Sequence, residues 1–279
     1  MTPHIGRYLA AVALPLTMVL SCGAPGAPSG QRHAERAQRG PAAPRPDIVP
    51  RAGWHAARPA GDHAARAQDE VRAAFLHHTN DEPDYDCADA PRMLRSLQRD
   101  HIHDNGWDDV GYNFVVDRCG RVYEGREGSL AGPATGAHTR GFNRHTVGIA
   151  ALGNFDSGPV PEPMLRAIAA VAAWRLSPGA DPRGTVKLRS TNSESRFRKG
   201  TWARLPVIAG HRDAYETDCP GKALYARLPW LRAQTERLRA ASDQHHTARQ
   251  NAARQPASRQ HEARQPASRQ SAGPQRRTV

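Results

Sequence analysis

The first 50 residues hold one aromatic side chain, Tyr8, and the stretch from Ala241 to Val279 holds none. Segments so poor in large apolar groups cannot bury enough surface to offset the entropy lost on ordering. Any core this chain builds must therefore come from the roughly 190 residues in between, which is long enough for one sizeable domain. The ends also carry the charge. Five arginines against Glu35 and Asp47 give the first 50 residues +3, and seven arginines against Asp243 and Glu262 give the last segment +5, out of +12 for the whole chain. A nucleic-acid surface calls for a basic face interleaved with stacking aromatics, or a known module, and neither is present, so no nucleic-acid partner is expected. Attraction to an anionic polymer such as a cell wall is the milder consequence.

Arg7 precedes an apolar run from Tyr8 to Leu20 that ends in "VLSC". This reads as a secretory signal over residues 1–22, too short and too weakly flanked to span a membrane. Cys22 stands where a bacterial lipoprotein signal places its lipidated cysteine, although Leu20 occupies a position that usually holds a smaller side chain. Lipid anchoring at Cys22 and plain cleavage both remain open. Either outcome puts the mature protein outside the cytoplasm, secreted, wall-associated or anchored to the outer face of the membrane, where disulfides persist. Residues 23–46 read as a Pro/Ala/Arg linker and 47–240 as a single domain. "ARQPASRQ" occurs at 253–260 and again at 263–270, marking 241–279 as an Arg-rich low-complexity tail. Both ends are expected to be disordered, and the protein to be a monomer.

Inside the domain, "VRAAFLHH" (71–78) reads as a buried strand that delivers two histidines at its carboxyl end. From Ala88, Met93, Leu94 and Leu97 recur at helical spacing until Gly106. "YNFVVDRCGRVYEGR" (112–126) is a hairpin turning at Gly120, and "HTVGIAALGNF" (145–155) is a further strand. Helices are expected over Glu162–Leu176 and Lys222–Arg239. Strands and helices interleave irregularly and the hairpin excludes purely parallel winding, so the expected fold is α/β, a mixed central sheet flanked by helices.

Two segments carry chemistry. "FLHHT" supplies His77 and His78, and "HRDAYETDCPG" supplies His211 and, eight residues later, Cys219. Two imidazoles and a thiolate with a fourth position left for water is how a catalytic zinc is built. A cysteine hydrolase using Cys219 with His211 is chemically admissible as well. With fourteen histidines in the chain, coincidence is a third reading. The paired-histidine helix motif of common zinc peptidases is absent, which argues against ordinary proteolysis.

Taken in order, "RAGW", "FLHHT", "GWDDVGYNFVVDRCGRVYEGR", "GAHTRGFN", "TVGIAALGNF" and "AGHRDAYETDCPG" closely resemble the type 2 N-acetylmuramoyl-L-alanine amidases, bacterial relatives of the peptidoglycan recognition proteins. The resemblance runs from about Asp47 to Ala240. It implies a zinc ion held by His77, His211 and Cys219, with Tyr112 and Thr217 as catalytic donors to the scissile carbonyl. The implied reaction is hydrolysis of the amide between N-acetylmuramic acid and L-alanine in peptidoglycan, with a non-catalytic wall-binding module as the alternative. His138 and Asn143 fall in the segment resembling the substrate groove. Gly106 and Trp107, with Arg126 nearby, match the position associated with stem peptides carrying meso-diaminopimelate. His78 points to the other strand face and is expected to back the site on the substrate side rather than to coordinate. His101, His103 and His145 are expected in solvent, and His245 and His246 in the tail. Of the remaining cysteines, Cys87 and Cys119 are expected to form a disulfide, leaving Cys219 for metal.

Overall fold

The computed structural model describes residues 43–60 and 66–254. The signal segment with Cys22, most of the linker and residues 255–279 lie outside the described residues. Eight strands form: β1 Ile48–Val49, β2 Ala73–His78, β3 Phe114–Val116, β4 Val122–Glu124, β5 Thr146–Ala151, β6 Thr185–Arg189, β7 Trp202–Pro206 and β8 Ile208–Gly210. Six of them make one sheet in the order β1-β4-β3-β5-β2-β8, while β6 and β7 pair separately. Only the β3–β4 hairpin is antiparallel within the large sheet. The mixed α/β architecture expected from the sequence is therefore present.

The central strands β2 and β5 are buried at every position, as strands covered on both faces must be. Alternation along them divides the core. Ala74, Leu76, Val147 and Ile149 pack under helices α2 (Glu162–Arg175) and α4 (Leu228–Arg254). Ala150 and Leu152 join Trp54, Val115 and helix α1 (Ala90–Arg99), and Ala73 and Phe75 pack with Phe142 beneath the β6–β7 hairpin. His77 shares the parity of Ala73 and Phe75, and His78 that of Ala74 and Leu76, so the two histidines leave the strand in opposite directions.

Three features depart from the sequence reading. The helix after Gly221 divides into a short α3 (Lys222–Tyr225) and the long α4, which runs on to Arg254 rather than ending near Arg239. Between Trp230 and Gln255 the chain has no glycine or proline and is rich in Ala, Arg and Gln, so propensity sustains the helix until Pro256 approaches. The order expected to be lost at Ala241 thus persists further. The α1 helix continues into a π-helical turn over Asp100–Asp104, where Asn105 N donates to Asp100 O at 3.1 Å. The β6–β7 hairpin is not evident in the sequence, because only one of its faces is buried and its strands are joined by a long polar connection. Among the described residues no helix is long and apolar enough to cross a membrane.

The Cys87–Cys119 disulfide forms, tying the entry to α1 to the β3–β4 turn across 32 residues, and Cys219 stays free. Closing a loop of that size should stabilise the fold by about 3–4 kcal/mol through the unfolded chain. Urea unfolding of a Cys87→Ser/Cys119→Ser double variant should show that loss. Stability equal to the parent would contradict a structural role for the bond.

Candidate metal site

β2 and β8 run side by side in parallel with Leu76 opposite Gly210, so the next residue of each chain, His77 and His211, emerges at the same edge. Their ring centroids lie 4.5 Å apart. The loop after His211 then folds back: Arg212 N donates to Cys219 O at 3.0 Å, and Asp213 accepts from Gly210 N at 2.9 Å and from the Tyr225 hydroxyl at 2.6 Å. Cys219 Sγ ends 3.7 Å from His77 Nδ1 and accepts from His78 N at 3.4 Å. One ligand atom from each of His77, His211 and Cys219 lies within 4.8 Å of the others. Around a tetrahedral zinc, nitrogen and sulfur ligands stand roughly 3.3–3.6 Å apart, so the cluster needs little adjustment to close on an ion.

Burial sets the protonation states. It holds His77 well below its ordinary value, with His211, His138 and His78 adding to the effect, and takes His211 down to about 4. The same desolvation pushes the Cys219 thiol up to about 12. Both imidazoles are therefore neutral with lone pairs available, and the thiol is held as S–H until a cation compensates its charge.

The other nitrogen of His77 is also occupied. His77 Nε2 lies 3.2 Å from His138 Nδ1 and 3.4 Å from Thr139 Oγ1, and His138 Nε2 lies 3.3 Å from Thr146 Oγ1. Thr146 donates to Phe142 O at 2.6 Å, so it accepts from His138 Nε2–H. His138 Nδ1 is then bare and accepts from His77 Nε2–H. The relay leaves the lone pair of His77 Nδ1 facing Cys219 and His211. Two glycines make room for it: a Cβ on Gly148 would meet His138 Cγ at 2.4 Å, and one on Gly136 would meet His138 Cδ2 at 2.5 Å.

The remaining sequence candidates fall around this cluster. Tyr112 packs its ring 5.1 Å from that of His77, and burial, then the nearby Cys219 and Asp81, raise its phenol so that it stays an O–H donor. Thr217 Oγ1 accepts from Cys219 N at 3.2 Å. His138 is buried behind His77, and Asn143 accepts from Thr139 N at 2.8 Å, which shapes the loop below the site. His78 is buried and accepts from Phe155 N at 3.3 Å. Gly106 has a φ of 68° with open space where a Cβ would stand, and Trp107 packs 4.7 Å from His101. Arg126 is buried, donating to Val110 O at 3.2 Å, with its Nε left unpartnered.

His101 contradicts the expectation of a solvated ring. It is buried between Trp107 and Tyr112, accepts from Gly111 N at 3.2 Å, and is drawn down to about 4 by desolvation. The π-helical turn that carries it rotates it inward. His145 is half-buried rather than free, whereas His103 is exposed, as are His245 and His246 on α4. Sequence reading misses Asp81, whose Oδ2 is buried with no hydrogen-bond partner and whose charge lies near enough to Tyr112 to act on it. Its place just after "FLHHTN", at the carboxyl end of a buried strand, is the available signal.

An α/β domain that gathers two neutral imidazoles and a thiol at the carboxyl edge of a mostly parallel sheet is of the class that holds a soft metal ion. The chain belongs to the N-acetylmuramoyl-L-alanine amidase family, whose sequence profile matches residues 67–222. It is 34% identical over 185 residues to an N-acetylmuramoyl-L-alanine amidase of Sus scrofa, a match covering 66% of this chain and 27% of that protein. The present chain thus spans only about a quarter of that relative. It is 32% identical over 188 residues to a peptidoglycan-recognition protein of Drosophila simulans, covering 67% of this chain and 88% of that one. Among solved structures, peptidoglycan recognition protein-LE in complex with tracheal cytotoxin, a monomeric diaminopimelic acid-type peptidoglycan, superposes with a TM-score of 0.51 at 26% identity, covering 66% of this chain and 92% of that one. These sequence relatives are animal proteins and do not bear out the bacterial qualifier attached to the resemblance.

Because His101, His138 and His211 titrate lower in the folded chain than the usual 6.5, the unfolded chain takes up protons first as pH falls. Their neutral burial is tolerated fully above about pH 6.5 and becomes costly from there down to about pH 4 for His101 and His211 and about pH 3 for His138, each contributing at most about 1.4 kcal/mol per pH unit. Denaturant titrations of metal-stripped protein should therefore show stability falling steeply through this window. A flat profile from pH 7 to 4 would contradict the buried neutral assignment.

Proposed function

We propose that the protein is a zinc-dependent amidase that hydrolyses the bond between N-acetylmuramic acid and L-alanine in peptidoglycan. The observation that carries this reading is the convergence of His77, His211 and Cys219, within the family-matched segment, on a point where all three side chains are uncharged and one is a thiol. When bound, zinc would supply a Lewis acid that polarises the amide oxygen and acidifies water. The chain supplies the rest. His77 is held in one tautomer by His138. Tyr112 keeps its proton and donates a hydrogen bond to the oxygen on which negative charge develops, an interaction of the kind worth about 3–4 kcal/mol in the transition state. Thr217 accepts from Cys219 N, which leaves its own O–H free to donate to substrate.

The cysteine-peptidase reading loses ground on the same numbers. A thiolate–imidazolium pair needs a lowered thiol and a raised imidazole, and burial moves both Cys219 and His211 the opposite way. The wall-binding reading keeps support from the relatives named as recognition proteins. Muropeptides with meso-diaminopimelate are the proposed substrates. Gly106 leaves open space at the surface and the Arg126 Nε is a buried donor lacking an acceptor, while the LE relative was crystallised with a diaminopimelic acid-type fragment. The Cys87–Cys119 bond supports work outside the cytoplasm. Export from the cytoplasm, with Cys22 either lipidated or removed with the signal, and a monomeric domain over 47–240 complete the proposal.

Digestion of purified peptidoglycan followed by mass spectrometry tests it. The parent protein should free N-terminal alanine while leaving glycan strands intact, and a Tyr112→Phe variant should keep its metal and fold but lose turnover by about 10²–10³-fold. Cleavage within the glycan or stem peptide, or binding with no new termini, would overturn the amidase reading.

A further inference from the structure

The second sheet carries a feature that the amidase reading does not use. Along β6 and β7 the inward residues Leu188, Ala203 and Leu205 pack on Phe75 and Phe142, and the outward residues are Thr185, Lys187, Arg189, Trp202 and Arg204. Arg189 stands opposite Trp202, and Lys187 stands directly opposite Arg204. A like-charge pair facing across two strands costs stability, so folding alone gives no reason for it. Trp202, 64% exposed, is the only large apolar side chain among the described residues left in solvent.

Beside this face lies a pocket of ≈ 420 Å³, lined among others by Arg72, Arg144, His145, Arg189, Lys199 and Trp202. That volume suits one or two sugar-sized groups. Glu70 stands 3.7 Å from Arg72, but Arg144, Arg189 and Lys199 form no ion pair with any carboxylate among the described residues. His145 adds a buried Nδ1 with no hydrogen-bond partner. Arg72 and His145 flank the amino ends of β2 and β5, whereas His77 lies at the carboxyl end of β2. His77 lies five strand steps beyond Arg72, about 16 Å away. The pocket is therefore not part of the metal site.

We propose that the outer face of the β6–β7 hairpin and this pocket bind an anionic polysaccharide, with Trp202 stacked on a sugar ring and Arg144, Arg189 and Lys199 holding its charged groups. An exposed indole beside cations that have no ion-pair partner among the described residues matches a ring with an apolar face and anionic substituents. A single-stranded nucleic acid would call for successive aromatic platforms, and here there is one. Phosphate and carboxylate both satisfy the cations, so the polymer is defined by charge and sugar rather than by which anion it bears.

Calorimetric titration of the full chain at low salt, with polygalacturonate for carboxylate, phosphomannan for phosphate, and dextran and oligothymidylate as comparisons, tests the proposal. At least one anionic polysaccharide should bind about tenfold or more tighter than dextran, and the tighter of the two identifies the anion. Trp202→Ala should weaken that binding about fivefold, and Arg144→Gln/Arg189→Gln/Lys199→Gln about tenfold with a shallower salt dependence. All four positions are exposed, so both variants should fold and should hydrolyse soluble muropeptides at the parent rate. Parental affinity in both variants would assign the attraction to charge elsewhere in the chain and overturn the proposal. So would no preference over dextran, or oligothymidylate binding more tightly than either polysaccharide.

Discussion

The site depends on the parallel pairing of β2 with β8. Leu76 opposite Gly210 makes His77 and His211 neighbours although they are far apart in the chain. The pairing in turn needs a glycine at position 210, because a Cβ there would meet the Tyr225 ring at 2.7 Å and Pro220 at 3.0 Å. Those same two residues anchor the returning loop: Tyr225 donates to Asp213, Asp213 accepts from Gly210 N, and Pro220 follows the cysteine that completes the cluster. A single close approach of loop to strand thus sets the positions of His211 and Cys219 relative to His77.

Electrostatics follow from that packing. Desolvation makes both imidazoles neutral and keeps the thiol protonated, a combination poorly suited to a cysteine nucleophile and well suited to a soft cation that can replace the thiol proton. The supporting relay runs away from the cluster into the sheet, through His138 and Thr146 to the Phe142 carbonyl, without any carboxylate. The outer face of the β6–β7 hairpin, by contrast, carries Lys187, Arg189 and Arg204, while its connecting segment reaches the returning loop, where Arg196 Nε donates to Arg212 O at 2.7 Å. The ligand cluster at the carboxyl edge and the pocket that Arg72 and His145 line at the amino ends of β2 and β5 therefore carry separate chemistries, neutral ligands in one and the cations Arg144, Arg189 and Lys199 in the other.

Much of this is legible in the sequence because it is local. A buried strand ending in His77, a hairpin turning at Gly120, and a cysteine eight residues after His211 are all short-range patterns. What stays hidden depends on strand order. His138 reads as a loop residue until β5 is placed beside β2 with Gly148 opposite Phe75, which opens the space that its ring fills behind His77. His101 reads as solvated until the π-helical turn rotates it inward against Trp107. The β6–β7 hairpin buries too few residues to announce itself by alternation, and α4 outruns its expected end because a low-complexity composition there conceals high helix propensity.

The central claim is that two histidine nitrogens and the Cys219 sulfur share one zinc ion. X-ray absorption at the zinc edge of the purified full-length protein measures this directly. The account predicts a four-coordinate first shell with one sulfur near 2.3 Å and nitrogen or oxygen neighbours near 2.0–2.1 Å, the sulfur contribution vanishing in Cys219→Ser. A zinc shell with no sulfur in the parent protein, or a sulfur signal that survives the substitution, would contradict it.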